Sequence, residues 1–170
     1  MSKFQLKNFF KDTYDLMLVF LQFFIISLHF FQWEFLPQKQ IIQASPFSYF
    51  IGILIIIIAL IIMLVSIKDL GRNLSPFPRP INNSNLVTAG IYRFTRHPMY
   101  YSLIFISIGV FVIKLSTYYL FLTISLALII KFKIALEEKY LMNKFKNYSQ
   151  FYGKLPLSSY ILFFYWQPIY

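Results

Sequence analysis

The chain has no cysteine, little charge and few glycines. Without cysteine it can form no disulfide, no thiolate metal site and no cysteine nucleophile. Charged residues make up 13% and hydrophobic residues 58%, which is more apolar surface than a water-soluble domain of this length can bury. The five glycines form no phosphate-binding loop, and the sequence shows neither a metal-ligand cluster nor an internal repeat. These features predict a single unit that needs lipid around it.

Acidic residues are also few, with six against 16 lysines and arginines, which gives a net charge of +10. Such a charge can indicate nucleic-acid binding. Here, however, the basic residues alternate with long apolar runs instead of gathering on a polar domain. Membrane topology explains that distribution better, so we expect a lipid bilayer as partner and no nucleic acid.

Two apolar segments in the first half of the chain predict membrane-spanning helices. Residues 47–67 contain no charge and match the roughly 20 residues that a helix needs to cross a bilayer. Residues 16–36 form a second candidate, although polar side chains interrupt it, and Pro37 is expected to end it. Lysines precede this segment as in a signal peptide, but no small-residue cleavage site follows, so we expect a retained helix.

The apolar stretch at residues 99–132 is too long for one simple crossing. Lys114 divides it, which predicts a tight helical hairpin with this lysine at the turn. Its arms would be short spans at 99–113 and 116–130, and a re-entrant pair is the alternative. The expected fold is therefore an all-α integral membrane protein, one domain over residues 1–170, with about four transmembrane helices.

Four crossings would place 14 of the 16 lysines and arginines on one side of the membrane. By the positive-inside rule that side is cytoplasmic, and it holds both termini and the loop at 68–98. The composition is typical of an AT-rich genome, so a prokaryotic plasma membrane is the expected location. Residues 155–170 are aromatic but too short for a further span, and we expect an interfacial belt or a lid there.

The loop at residues 70–98 has a sequence that favours a fixed, non-helical backbone. Three prolines at alternate positions, starting at Pro76, prevent regular helix. Gly71 and Gly90 permit positive φ angles. We therefore expect a shaped loop on the cytoplasmic side.

Two arginines and a histidine stand at the end of this loop. Arg93, Arg96 and His97 come just before Pro98, a residue well suited to the first turn of a helix. Because a helix N-terminus carries unpaired N–H groups and partial positive charge, these residues predict a corner that receives an anion. The alternative is that the arginines only bind lipid headgroups and set the topology.

Residues 134–152 have helical periodicity and predict a cytosolic C-terminal amphipathic helix. Glu137 falls on its apolar face and Glu138 at the edge of that face. A carboxylate on a buried stripe needs a partner, and Arg93, Arg96 and His97 are available on the same side. The hypothesis is that the two segments close one site, and the alternative is a salt bridge that only holds the helix to the loop.

Three runs of the sequence, LGRNLSPFPRP, LVTAGIYRFTRHPMYYS and EEKYLMNKFKNYSQFY, lie in this order between residues 70 and 156. Together they resemble the isoprenylcysteine carboxyl methyltransferase and phospholipid methyltransferase superfamily of membrane enzymes. The resemblance implies S-adenosylmethionine as cofactor, bound at the cytosolic side by the second and third runs. It implies roles in cofactor binding for Gly90, Tyr92, Arg96, His97, Pro98, Tyr100, Glu137 and Glu138. Of these residues, we expect Arg96, Glu137 and Glu138 to act in catalysis.

Three positions depart from the pattern of that superfamily. Ser102 stands where glycine is common, Lys133 stands where arginine is frequent, and Lys146 replaces a glycine that follows phenylalanine. A serine in place of glycine can hinder the close approach of a neighbouring helix or of the cofactor. A lysine cannot form the two parallel hydrogen bonds with which an arginine binds a carboxylate.

The resemblance implies methyl transfer to a hydrophobic or lipid-like acceptor. A carboxylate acceptor is already ionised at neutral pH, and Arg96 or Arg93 would position it. An amine or thiol would need a proton removed, with Glu137, Glu138 or His97 as the candidate base. Two other functions stay open, an NADPH-dependent membrane reductase on a related scaffold and a non-catalytic membrane subunit.

Overall fold

The computed structural model describes residues 3–31 and 39–148, with side chains from Thr13 onward. Over these ranges the chain is helical and has no β-strand, which confirms the predicted class. Its α-helices are α1 Lys3–Leu28, α2 Pro46–Leu70, α3 Pro98–Lys114 and α4 Thr117–Lys144. The belt or lid expected at 155–170 lies outside the described residues.

The helices form an up-and-down bundle. α2 packs against α3, α3 against α4, and α4 against α1. Leu122, Leu126 and Ile130 of α4 are almost fully buried at the centre of the core. α2 and α4 are long and apolar enough to cross a membrane, whereas the apolar stretches of α1 and α3 are shorter. The span expected at 47–67 therefore lies inside a helix, while four complete crossings remain a prediction.

Local sequence explains where α2 begins and ends. Ser45 and Ser48 form a capping box, each accepting the backbone N–H of the other, at 3.2 and 3.0 Å. Pro46 occupies the first turn, where its missing N–H costs nothing. Gly71, with φ of 52°, ends the helix in a conformation that other residues rarely adopt.

α1 ends earlier than the sequence indicates. The expected first span covered residues 16–36, whereas the helix stops at Leu28. The reason is tertiary: the Tyr118 hydroxyl of α4 donates to the Leu28 carbonyl at 3.0 Å. One residue further on, the His29 ring contacts the Ser107 hydroxyl of α3 at 2.7 Å. Contacts with two other helices therefore replace the next helical turn.

The predicted helical hairpin is confirmed. α3 ends at Lys114, Leu115 takes a left-handed conformation with φ of 45°, and Ser116 caps the start of α4. The Ile41 N–H donates to the Leu115 carbonyl at 2.8 Å, so the segment before α2 lies against this turn. These contacts define the end of the bundle opposite to the loop at 71–97.

α4 is one continuous helix, where a span at 116–130 and a separate amphipathic helix at 134–152 were expected. That division is wrong, because no proline or glycine interrupts the sequence between Ser116 and Lys144. Lys139 and Asn143 are exposed on the polar face of α4.

α2 and α3 approach each other closely at Gly52 and Gly109. A Cβ atom on Gly52 would lie 2.7 Å from the Gly109 carbonyl oxygen, and one on Gly109 would lie 2.9 Å from the Gly52 oxygen. The two backbones therefore touch, as in the small-residue contacts of membrane helices.

Gly109→Ala is expected to lower the free energy of unfolding by about 1–3 kcal/mol, because the added methyl group overlaps backbone that cannot rotate away. Thermal unfolding of detergent-purified protein measures the change. Ile57→Ala, on the exposed face of α2, is the control. An equal effect of the two substitutions would contradict the close contact.

Candidate cofactor and catalytic site

The loop after α2 is held in place by Asp69, near the C-terminal end of that helix. Its carboxylate accepts the Ile91 N–H at 2.8 Å, and Gly90, with φ of 60°, makes the turn that allows this bond. A short 3₁₀ turn, Gly90–Arg93, then buries the Tyr92 side chain. The prolines keep the preceding loop free of regular helix, as expected.

Gly90→Ala is expected to break this anchor. Its Cβ would lie 2.0 Å from the Asp69 carboxylate, in addition to the strain of a positive φ angle. Gly71→Ala is a matched control, because Gly71 also has positive φ but a Cβ added there would meet no atom within 4 Å. The midpoint of thermal unfolding should fall further for Gly90→Ala, and equal falls would contradict the role of Asp69.

Glu138 of α4 is the centre of a polar cluster at this end of the bundle. It accepts a hydrogen bond from Arg96 Nη1 at 3.0 Å and lies 2.8 Å from His97 Nε2. The Tyr148 hydroxyl donates to the same carboxylate at 2.8 Å. The two segments that the sequence suggested as one site are therefore in direct contact.

Glu137 has different neighbours. The Tyr100 hydroxyl donates to it at 2.6 Å, and His97 Nδ1 lies 4.0 Å away. The rings of His97 and Tyr100 stack with centroids 5.7 Å apart, and the Lys133 ammonium lies 5.2 Å from the Tyr100 ring centroid. The two carboxylates thus share His97 but differ in their closest partners, which are Arg96 and His97 for Glu138 and the Tyr100 hydroxyl for Glu137.

His97 is 5% exposed and begins α3 as its N-cap residue. Burial alone would lower the pKa of its imidazole. The hydrogen bond to Glu138 and the charges of both glutamates outweigh burial and raise that pKa above its usual value. The imidazole, which lies between the two carboxylates, is therefore more readily protonated than that of a free histidine.

The contribution of His97 to stability should depend on pH. Since its folded-state pKa is raised, the stabilisation is fully present below the unfolded-state value of 6.5 and is lost as pH rises through the folded-state value. The difference in unfolding free energy between wild type and His97→Gln should therefore be larger at about pH 6 than at about pH 9. Denaturant unfolding at both pH values tests this. A difference that grows with pH would show that the imidazole is neutral in the folded state.

A cavity of about 740 Å³, a volume that includes its open mouth, lies between the loop and the ends of α3 and α4. Its polar and aromatic lining includes Arg79, Tyr92, Arg96, His97, Tyr100 and Glu137. Glu138 is beside the cavity but does not line it, so the two carboxylates also differ in access.

The remaining sequence candidates do not line this cavity. Gly90 and Pro98 shape the backbone, and neither lines the cavity. Arg93 is exposed, with its guanidinium 4.9 Å from the Phe94 ring centroid. Ser102 donates to the Pro98 carbonyl at 2.9 Å within its own helix. Lys146 is exposed beyond the end of α4.

Sequence reasoning missed two groups that matter here, Asp69 and Arg79. An acidic residue near a helix C-terminus is electrostatically unfavourable unless something else holds it, and this is the signal that singles out Asp69. Arg79 stands within the proline-rich run, where nothing in its neighbours points to a partner on another helix.

The family model for phospholipid methyltransferases matches residues 47–148, which is more than half of the chain. The match covers α2, the loop, α3, α4 and all members of the polar cluster. The chain therefore belongs to the phospholipid methyltransferase family and is a membrane methyltransferase. Neither a curated protein nor a solved structure matches it.

Proposed function

We propose that the chain transfers a methyl group from S-adenosylmethionine to a hydrophobic or lipid-like acceptor at the cytosolic face of the membrane. The observation that carries this proposal is the position of the cavity. It lies at one end of an apolar bundle and is lined by cationic, anionic and aromatic side chains together. Water-soluble cofactor and bilayer-dissolved acceptor can meet at such a place.

The residues fit the amino-acid end of the cofactor. Arg96 and His97 can face its carboxylate, because a guanidinium has five donors and a protonated imidazole has two. Glu137 offers an acceptor for an ammonium group or a ribose hydroxyl. Tyr92 and Tyr100 present aromatic surface that suits a cationic sulfonium. When bound, S-adenosylmethionine supplies an electrophilic methyl group.

The protein's task in methyl transfer is mainly to align the reactants and exclude water. Arg96 would position a carboxylate acceptor, which needs no base. For an amine or thiol acceptor, Glu137 is the better base, because it lines the cavity and no arginine or lysine donates a hydrogen bond to it among the described residues. Glu138 acts through Arg96 and His97, which it holds in place.

Calorimetry with S-adenosylhomocysteine on detergent-purified protein tests the proposal. Wild type should bind, whereas His97→Ala and Glu137→Ala should abolish binding without unfolding the protein. Lys139→Ala, an exposed position on α4, is the control and should bind as wild type does. No binding by folded wild type would refute the proposal. NADPH binding would then favour a reductase, and a stoichiometric co-purifying partner would favour a non-catalytic subunit.

A further inference from the structure

α1 lies outside residues 47–148, so membership of the family does not explain what this helix does. Among the side chains of α1 that the structure describes, from Thr13 onward, the buried positions recur every three or four residues, which is one face of a helix. They are Asp15, Leu18, Gln22 and Ile25. Two of these four residues are polar, and a polar group buried in such a bundle requires a partner. One partner lines the cavity, and the other contacts a residue that lines it.

Asp15 is 4% exposed and holds the loop. Its carboxylate lies 2.9 Å from Arg79 Nη2 and accepts the Tyr140 hydroxyl of α4 at 3.1 Å. The Arg79 guanidinium also lies 5.4 Å from the Tyr140 ring centroid. Arg79 lines the cavity, so α1 and α4 together fix one of its cationic walls.

The same stretch of loop is held on its other side by Lys144, at the end of α4. The Lys144 ammonium donates to the Ile81 and Asn82 carbonyls and to the Ser84 hydroxyl. The bonds to Ile81 and Asn82 come from α4, whereas the bond at Arg79 needs a residue of α1. Removal of Asp15 would therefore break the ion pair that links Arg79 to α1 and leave its contact with Tyr140 in place, so this side of the stretch would be held less firmly.

Gln22 reaches the cavity by a second route. Its side-chain oxygen accepts a hydrogen bond from the Lys133 ammonium, which is 1% exposed. Lys133 in turn lies against the ring of Tyr100, and Tyr100 donates to Glu137. Gln22 thus positions the Lys133 ammonium against the ring of Tyr100, whose hydroxyl binds Glu137.

We propose that α1 is a part of the site, in which Asp15 and Gln22 are positioning residues. Asp15 fixes Arg79 and the loop that carries it, and Gln22 fixes Lys133 behind Tyr100. The effect on a ligand rests on the proposed function, but the hold on the loop does not. A purely structural role for α1 would lower stability without changing loop mobility or cofactor affinity in the folded protein.

The lack of cysteine allows a direct test on the full chain. A nitroxide on Pro76→Cys, an exposed loop position three residues before Arg79, reports mobility by its electron paramagnetic resonance line shape. Asp15→Asn should mobilise this label and weaken S-adenosylhomocysteine binding about tenfold, which corresponds to about 1.4 kcal/mol. Met17→Ala, on the exposed face of α1, should change neither readout.

A double-mutant cycle with Arg79→Gln separates coupling from a general loss of packing. If Asp15 acts through Arg79, Asp15→Asn should have little further effect on the label or on affinity once Arg79 is replaced. If Asp15→Asn does not fold, Arg79→Gln replaces it, because this substitution removes the same ion pair at its more exposed partner. Arg79→Gln alone must then mobilise the label. For Gln22, Gln22→Glu keeps an acceptor for Lys133 and should retain binding that Gln22→Leu loses.

The outcomes are distinguishable. Wild type that binds S-adenosylhomocysteine, with an immobile label in Asp15→Asn and Arg79→Gln, would overturn the role of α1 and leave the proposed function intact. Wild type that does not bind, with a label that Asp15→Asn mobilises, would refute the methyl-transfer proposal but support the hold on the loop.

Discussion

Glu138→Leu is expected to lower the free energy of unfolding by about 3 kcal/mol, the low end of the range for breaking a buried ion pair. The carboxylate is shared by Arg96, His97 and Tyr148, and its loss leaves two cationic groups without their main counter-charge. The low end applies because the side chains of Glu138 and Arg96 keep 16% and 20% exposure. Denaturant unfolding in detergent gives the value.

Lys139→Leu is the matched control, since it changes the charge of the next residue on the exposed face of the same helix. It should change stability little. A loss for Glu138→Leu no larger than that of the control would mean that the cluster contributes nothing to stability and serves ligand binding alone.

Glu137→Gln is expected to leave stability nearly unchanged and to reduce methyl transfer by about 10²-fold or more, the usual effect of losing a general base. Glutamine keeps the size of the side chain and can still accept the Tyr100 hydroxyl, but it cannot take a proton. Transfer of a labelled methyl group from S-adenosylmethionine into membrane lipid measures the loss.

The comparison with Glu138→Gln makes this result specific. That substitution should lower stability more and should reduce transfer only through displaced Arg96 and His97. If Glu137→Gln keeps full activity with an amine acceptor, Glu137 is not the base. Full activity with a carboxylate acceptor would instead agree with an acceptor that is already ionised.

Local signals in the sequence were sufficient for several elements. The apolar run at 47–67 and the charge at Lys114 predicted α2 and the hairpin, because caps and breaks depend on neighbouring residues. The end of α1 at Leu28 was not predictable, since it depends on the Tyr118 hydroxyl, 90 positions away in the chain. The continuity of α4 was not predicted either, because a change from an apolar to an amphipathic pattern looks like a break in the helix.

The site was foreseeable to a similar extent. A carboxylate on an apolar stripe requires a cation, and this argument predicted that the segment with Glu137 and Glu138 meets the segment with Arg96 and His97. This argument could not predict which of the two glutamates lines the cavity. Adjacent residues of a helix point about 100° apart, and what each one contacts depends on the surrounding helices. The hydrogen bond between Asp15 and Tyr140 joins residues 125 positions apart, and no local pattern in the sequence predicts it.

Because α4 is one unbroken helix, the distance between its first residue and the cavity is fixed. Glu137 lies 20 residues beyond Thr117, about 30 Å along the axis at 1.5 Å per residue. The hydrocarbon layer of a bilayer is also about 30 Å thick. A rigid rod that starts at one boundary of this layer therefore brings its carboxylate to the other. The reactive depth is then set by membrane thickness, and a bilayer a few ångströms thicker would draw that carboxylate below the level of the headgroups.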